Sequence, residues 1–220
     1  MDTGDIVIRN LRQEESNEIR EMLISGIFTG VLTLRNAFRL TRNSENCVWM
    51  AILSVFLYIL TKSVIWAALV PLILAFLTSF VCLWSAFQQL ISHSQLELQN
   101  VHAWYNNTKP NSKFWVAVYR QNVIGSVALH RASETVAELK RMSVLPMYRR
   151  QGVGTLLLKH LEQHCKSAGI RKIFMTTDEL GSGVHLYQKH GYVITSTFNR
   201  RILPLPGALK TEWRLSKKLQ

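Results

Sequence analysis

The chain has 220 residues and a formal net charge of +12, from 26 Lys and Arg against 14 Asp and Glu. That length fits one domain, or one domain with an appendage, and the charge points to anionic partners such as nucleic acid, an acidic membrane face or a polyphosphate ligand. The cysteines Cys47, Cys82 and Cys165 are scattered and odd in number, which excludes a disulfide framework and offers no zinc-ligand spacing.

Residues 5–11, "DIVIRNL", alternate as a strand does. The polar first twenty residues do not read as a cleavable signal peptide. Ser16 or Asn17 can cap a helix whose apolar positions Ile19, Met22, Leu23 and Ile27 recur at helical spacing.

Val48 to Phe87 then forms an apolar block whose only charge is Lys62. A bilayer core takes roughly 20 apolar residues as a helix. Val64–Phe87 is long enough alone, and Val48–Leu60 is short for a full span. Trp49, Trp66 and Trp84 suit interfacial anchors. Two arrangements fit: two segments turning at Thr61–Ser63, or a re-entrant hairpin turning near Pro71. Arg35, Arg39 and Arg42 precede the block, and positive flanks prefer the cytoplasmic side. Asn106-Asn107-Thr108 is a glycosylation sequon that would matter only in a lumen.

A polar stretch, Gln88 to Ser112, leads out of the block. Lys113–Ala132 predicts two strands around Gln121-Asn122, and Thr135–Val144 a third. Gly154–Ser167 is a predicted helix with Val153, Leu156, Leu157, Leu161 and Cys165 on one face and Gly169 at its C-terminal cap. "RKIFMTTD" predicts a strand, Gly183–His190 a short helix ended by Gly191, and "YVITSTF" and "LKTEWRLSKKL" two closing strands.

Between the third strand and its helix lies "RRQGVG", Arg149 to Gly154. A glycine turn from strand to helix points several backbone N–H groups outward, and with the helix N-terminus these bind phosphate. Glycine lets a ligand approach the backbone closely, and Arg149 and Arg150 add charge beside it. The stretch lacks the Lys-Ser/Thr of a P-loop and the third glycine of the dinucleotide fingerprint.

Arg149-Arg150-Gln151-Gly152-Val153-Gly154, after a strand ending in Val144, resembles the acetyl-CoA signature of the GCN5-related N-acetyltransferases. "VHLYQKHGY" looks like the second motif of that superfamily, and the resemblance covers most of residues 113–199. With an apolar block after the first helix, the chain is similar in architecture to camello-type, membrane-anchored N-acetyltransferases. The resemblance implies an α/β fold with a mixed central sheet and flanking helices, interrupted by a helical membrane hairpin. Residues 1–46 would carry the first strand and helix and the basic flank, 47–90 the hairpin (about 48–61 and 64–87), and 91–220 the main acetyltransferase domain. Because the first strand belongs beside the second in such a sheet, the block must enter and leave on one side of the bilayer, which the arginine flank makes the cytosol. The expected location is an endomembrane, the endoplasmic reticulum or a relative of it.

Acetyl-CoA is the implied donor, and no metal is expected. Met142, Ser143 and Val144 would hold its pantetheine arm, and Arg149, Arg150, Gln151, Gly152, Val153, Gly154 and Thr155 its pyrophosphate. The sequence departs from the family at Leu180, where Asn is common, and at Gly183, where Ala is usual. Acetyl transfer from a thioester needs a neutral amine and a protonated leaving thiol. Tyr187 is the candidate acid and Glu138 the candidate base; His130 and His185 are weaker candidates, and Asp178 ends a strand. The expected partners are an amine acceptor, either a small amino compound or a protein lysine, and membrane lipid. A catalytically silent acetyl-CoA-binding membrane regulator is the alternative. Nucleic acid is not expected, since the basic residues are dispersed and no reading motif accompanies them.

Overall fold

In the computed structural model, which describes residues 5–32, 34–41, 44–93, 95–108, 111–178, 183–201 and 209–219, one mixed sheet organises the chain. Its strands are β1 (Val7–Asn10), β2 (Ser112–Tyr119), β3 (Asn122–Arg131), β4 (Val136–Val144), β5 (Lys172–Asp178), β6 (Val193–Arg201) and β7 (Leu209–Lys218). They lie in the order β1-β2-β3-β4-β5-β7-β6. Only β4 and β5 pair in parallel, as a strand–helix–strand connection requires. β1 pairs with β2 across more than a hundred intervening residues, Val7 opposite Val118.

Alternation along β2 explains the two layers of core. Trp115 and Ala117 face one side, where they join Leu157, Leu158 and Leu161. Phe114 and Val116 face the other, with Ile19, Met22 and Leu23. The first side is covered by α7 (Val153–Ser167) and the second by α1 (Ser16–Val31). The buried face of α7 uses Leu158 where periodicity predicts Leu156, which is half-buried. The β2–β3 turn falls on Arg120 and Gln121, one residue earlier than expected. Both take positive φ, 47° and 68°, the hairpin geometry that follows strand twist.

The start of α1 departs from the expected cap. Ser16 is helical, and its hydroxyl accepts instead from the His102 N–H at 3.1 Å. The chain enters through a 3-10 turn, Gln13–Glu15, where the Glu15 carboxylate accepts from the Arg12 N–H and from Arg9. The side chain of Ile27 lies outside the described ones.

Between α1 and the remaining sheet come α2 (Leu34–Thr41), α3 (Ser44–Thr61) and α4 (Val64–His93). α3 and α4 form a helical hairpin turning at Lys62 and Ser63, with Lys62 in the left-handed region at φ 53°. Pro71 lies inside the continuous α4, so the chain does not re-enter there. Among the described residues one helix, Val64–Gln89, is long and apolar enough to cross a membrane, and 22% of its most apolar stretch is buried in the molecule. Large apolar side chains such as Ile52, Phe56, Ile65, Leu72, Leu77 and Phe80 are exposed along both helices.

The polar exit from the hairpin is also helical: α5 (Gln95–Gln99), α6 (Val101–Ala103) and a π-turn over Trp104–Thr108. Leu98, Val101 and Tyr105, spaced by three and four, close the core under α1. A last short helix, α8 (Val184–Lys189), precedes β6.

Candidate active site

The sheet is open at its centre. β4 and β5 pair only where Val136–Glu138 meets Lys172–Phe174. Beyond that, β4 runs on to Val144 and β5 to Asp178 with no pairing between them among the described residues. One edge of β4 stays bonded to β3, where Ser143 faces Ser126 and Val144 faces Gly125. The other edge presents peptide groups to the gap, and such groups demand partners.

An irregularity aims that edge. From Ala128–Lys140 to Ser126–Ser143, β4 advances three residues while β3 advances two. This is a β-bulge, with Arg141 at φ 51°. The bulge keeps Met142 and Val144 on the α7 side and Ser143 on the α1 side, where a Cβ on Gly26 would lie 2.9 Å from its hydroxyl. Three side chains brace it. The Arg141 guanidinium donates to both Glu97 carboxylate oxygens at 2.6 and 2.7 Å, and the Tyr105 hydroxyl donates to the first at 2.7 Å. The Ser126 hydroxyl donates to the Arg141 carbonyl at 3.0 Å. Burial disfavours the Glu97 charge, but Arg141 and the Tyr105 hydroxyl more than offset this and hold its carboxyl below the usual range. Burial first, then the Glu97 charge, push the Tyr105 hydroxyl well above the tyrosine range.

After β4, Pro146–Tyr148 makes one 3-10 turn and the chain enters α7 through Gly152. Arg150 and Gly152 are both left-handed, at φ 62° and 88°; glycine removes the strain at the second, where a Cβ costs roughly 1–2 kcal/mol. The first turn of any helix leaves its N–H groups without helical partners. Here these belong to the segment Gly152–Thr155, beside Arg149 and Arg150. Arg149 donates through Nε to the Val144 carbonyl at 2.9 Å, tying the turn to the end of β4, and Gln151 donates to the Met147 carbonyl at 2.8 Å. The Val153 side chain is core, so that residue offers only its backbone. A Cβ on Gly154 would lie 3.1 Å from Leu186 on α8 and within 4 Å of Met142 and Val144. The structure thus brings the two predicted binding segments together.

Tyr187 follows Leu186 on α8 and belongs to the same core cluster as Val153, 7% exposed, with its ring 6.0 Å from that of Tyr192. Burial pushes its hydroxyl well above the usual tyrosine range, so it keeps its proton. Gly183 lies against this ring, where a Cβ would be 3.1 Å from Tyr187 Cε2. Glu138 sits apart, at the last step where β4 and β5 pair. Ala137 and Leu139 face the α7 core, so Glu138 faces the α1 side, with Lys140 Nζ 3.4 Å from its carboxylate. His130 is opposite Glu138 in the β3 register, bonded through Nδ1 to the Ser112 hydroxyl, and His185 is exposed. The Asp178 side chain and Leu180 lie outside the described residues. Among the described residues, no His, Cys, Asp and Glu cluster gathers in a form that could hold a metal.

Glu97, Tyr105 and Arg141 were not singled out by the sequence reading. Their signal is a slip in the alternation of β4: Ala137 and Leu139 are followed by Met142 and Val144, three residues on instead of two.

A sheet split between two parallel strands, with a glycine turn at a helix start beside the split, makes a cleft edged by peptide groups and by a helix N-terminus that suits an anion. The sequence profile of the Acetyltransferase (GNAT) family matches residues 79–192. The chain is 32% identical over 202 residues to a Xenopus tropicalis protein named Probable N-acetyltransferase 14, covering 90% of this chain and 92% of that one. It is 26% identical over 193 residues to the Danio rerio N-acetylaspartate synthetase, covering 86% and 67%. A crystal structure of a GNAT-family acetyltransferase from Staphylococcus aureus MU50 shares the fold, with a TM-score of 0.56 and 18% identity over 98% of this chain and 99% of that one. The chain belongs to the GNAT family and is an acetyl-CoA-dependent N-acetyltransferase. Both relatives align over most of its length, in keeping with the narrower likeness to camello-type enzymes.

Proposed function

We propose that the chain is a membrane-anchored N-acetyltransferase that acetylates a primary amine, with α3 and α4 as its anchor. The opened strand pair β4–β5, with the Gly152 turn at its mouth, is the observation that carries the catalytic half of this reading. Residues 1–46 and 91–220 together form the catalytic unit, and 47–90 the hairpin.

Acetyl-CoA supplies an acetyl group activated as a thioester. The N–H groups from Gly152 to Thr155, with Arg149, Arg150 and the Gln151 turn, would hold its pyrophosphate. The edge of β4 that β5 leaves unpaired, at Met142, Ser143 and Val144, would hold its pantetheine arm by strand-like hydrogen bonds, with Arg149 already on the Val144 carbonyl. Tyr187, buried, protonated and next in sequence to the Leu186 that packs on Gly154, would give a proton to the leaving sulfur. Glu138, on the opposite face, takes the proton of the acceptor amine. It lies four residues below Met142, about 13 Å along an ideal strand, so that proton crosses water in the gap. The two faces divide the work: the donor enters from the α7 side and the acceptor from the α1 side.

The exposed apolar surface of the hairpin supports the anchor, since a soluble core helix would be mostly buried. β1 and β2 flank the hairpin in sequence yet pair in one sheet, so both ends of the hairpin leave on one side. Arg35, Arg39 and Arg42, whose side chains lie outside the described ones, favour the cytosol for that side. The test has two arms. Purified protein in vesicles should release thiol from acetyl-CoA when given a suitable primary amine. In cells, tags at both termini should be reached once only the plasma membrane is opened, and Asn106 should stay unglycosylated. Acetyl-CoA binding without thiol release across a broad amine panel would reduce the chain to a silent acetyl-CoA-binding module.

A further inference from the structure

We propose that the chain carries a second anion site, at the end of the sheet away from the β4–β5 split, and that it takes a small solute bearing two or more phosphate charges.

β5 begins at Lys172 and ends at Asp178, beside the opened edge of β4. Its 7 residues put these ends about 20 Å apart, at about 3.3 Å per residue. A cleft of about 550 Å³ opens at the Lys172 end, lined among others by Lys166, Lys172, Lys217, Lys218, Thr195 and Ser216. None of residues 149–155 lines it. Small-molecule sites commonly measure about 300–1,000 Å³.

Strand register explains how the lysines gather. Ile173 faces the α7 core, so Lys172 faces the other side of the sheet. Lys218 is its direct partner on β7. Lys217, one residue back, turns to the α7 side, where its ammonium donates to both Glu162 carboxylate oxygens at 2.8 Å. Lys166 stands in the last turn of α7. The strand ends and the helix end thus bring lysines from both faces of the sheet to one rim.

This arrangement is unbalanced without an anion. Residues directly opposite in an antiparallel pair have Cβ atoms about 4.5–5.5 Å apart, and like charges there are destabilising. Lys172 and Lys218 form such a pair. The lining holds four lysines and no acid. Lys217 has Glu162, but among the described residues no carboxylate pairs with Lys166, Lys172 or Lys218. An anion seated between them turns the repulsion into attraction. A hydroxyl adds to the site. Ser216 lies in register between Phe174 and Val193 and is 7% exposed. Its hydroxyl has no hydrogen-bond partner among the described residues. A mostly buried hydroxyl needs an acceptor, and a ligand oxygen in the cleft would supply one.

The donor set selects the ligand. Lysine is a compact point charge that binds phosphate well, whereas the fork of arginine matches a planar carboxylate. The cleft is lined by lysines and by no arginine. Three ammonium groups without carboxylate partners call for more negative charge than one carboxylate carries.

The full chain in phosphatidylcholine vesicles, saturated with CoA so that the acetyl-CoA site is filled, is titrated with pyrophosphate by calorimetry. Salt is kept at about 0.15 M, which screens scattered surface charge. One saturable site per chain is expected. Lys172→Gln combined with Lys218→Gln should weaken it at least about tenfold and leave CoA binding unchanged. Without pyrophosphate the same variant should melt at a higher Tm than the original chain, because the opposed charges are gone. Pyrophosphate should then raise the Tm of the original chain and not that of the variant. Affinity should be the same in vesicles containing a phosphatidylinositol phosphate as in vesicles of equal surface charge made with phosphatidylserine. A loss confined to the former would give the cleft to a lipid headgroup and overturn the solute. No saturable binding to the CoA-filled protein, equal binding by the double variant, or an equal or lower Tm of that variant without ligand would each overturn the site. Tighter binding of hexaglutamate than of pyrophosphate would overturn the ligand class.

Discussion

Replacing Arg141 by Met tests whether the bulge in β4 is held by charge. The substitution removes a guanidinium that makes two hydrogen bonds, at 2.6 and 2.7 Å, to a carboxylate whose side chain is 11% exposed. Breaking one side of a buried ion pair costs about 3–5 kcal/mol, because the other charge is left without a partner. Arg141 is itself 21% exposed in its side chain, which admits some water and argues for the lower end, about 3 kcal/mol. In a chain of this size that is a fall in Tm of roughly 6–12 °C. Thermal unfolding in a mild detergent, followed by circular dichroism, reads it directly. The effect should also reach function: the bulge orients Met142 to Val144, so KM for acetyl-CoA should rise more than in a surface variant of equal stability. Replacing Glu97 by Met as well should restore part of the loss, since two apolar partners leave no buried charge; the Tyr105 hydroxyl, then orphaned, accounts for the remainder. An Arg141→Met protein with unchanged Tm and unchanged KM would refute the claim that this pair braces the site.

Three further outcomes follow from the same geometry. Gly152→Val forces a β-branched residue to φ 88° at the start of α7, and should weaken acetyl-CoA binding by at least about tenfold in calorimetry while the helical signal of the hairpin is retained. Tyr187→Phe should lower kcat by about a hundredfold or more, the usual size of a general-acid effect, with little change in the acetyl-CoA dissociation constant; equal kcat would leave Tyr187 a packing residue. Stability should fall as pH drops below about 6.5, because burial holds His160 and His164 below the usual histidine value in the folded chain and the unfolded chain takes up protons first. The Glu97 contribution, from a carboxyl held below its usual range, is lost only at lower pH still.

Periodicity carried far in this sequence where a single element decides its own structure. The strands of 113–144 alternate, the helix after Gly152 repeats its leucines, and the apolar block is readable from composition alone. It failed where a second element decides. Ser16 has the chemistry of a helix cap, but the 3-10 turn Gln13–Glu15 runs straight into α1, its last N–H bond going from Ser16 to the Gln13 carbonyl, and the serine hydroxyl bonds α6. Residues 95–108 look polar and unstructured because only every third or fourth position, Leu98, Val101 and Tyr105, meets the core. The turn at Lys62 is one of the two arrangements open to the apolar block; what decides for it, and for the continuity of α4 through Pro71, is the packing between α3 and α4.

The candidate site divides in the same way. The glycine turn is legible because backbone geometry demands particular residues: no other side chain takes φ 88° as cheaply as glycine. The bulge is less legible, because Arg141 adopts φ 51° against its own preference and must be held there. What holds it lies 44 residues away in sequence, on a helix reached only through the hairpin. A charged pair of that kind leaves no local trace at Glu97. It does leave one in β4, where the alternation slips between Leu139 and Met142. That slip turns Met142 to one face and Ser143 to the other, next to Gly26 of the helix that leads into the hairpin. The residue that costs β4 its regularity is therefore the one that joins the open edge of the sheet to the segment leaving the hairpin, and any change that frees Arg141 should be felt on both sides of that joint.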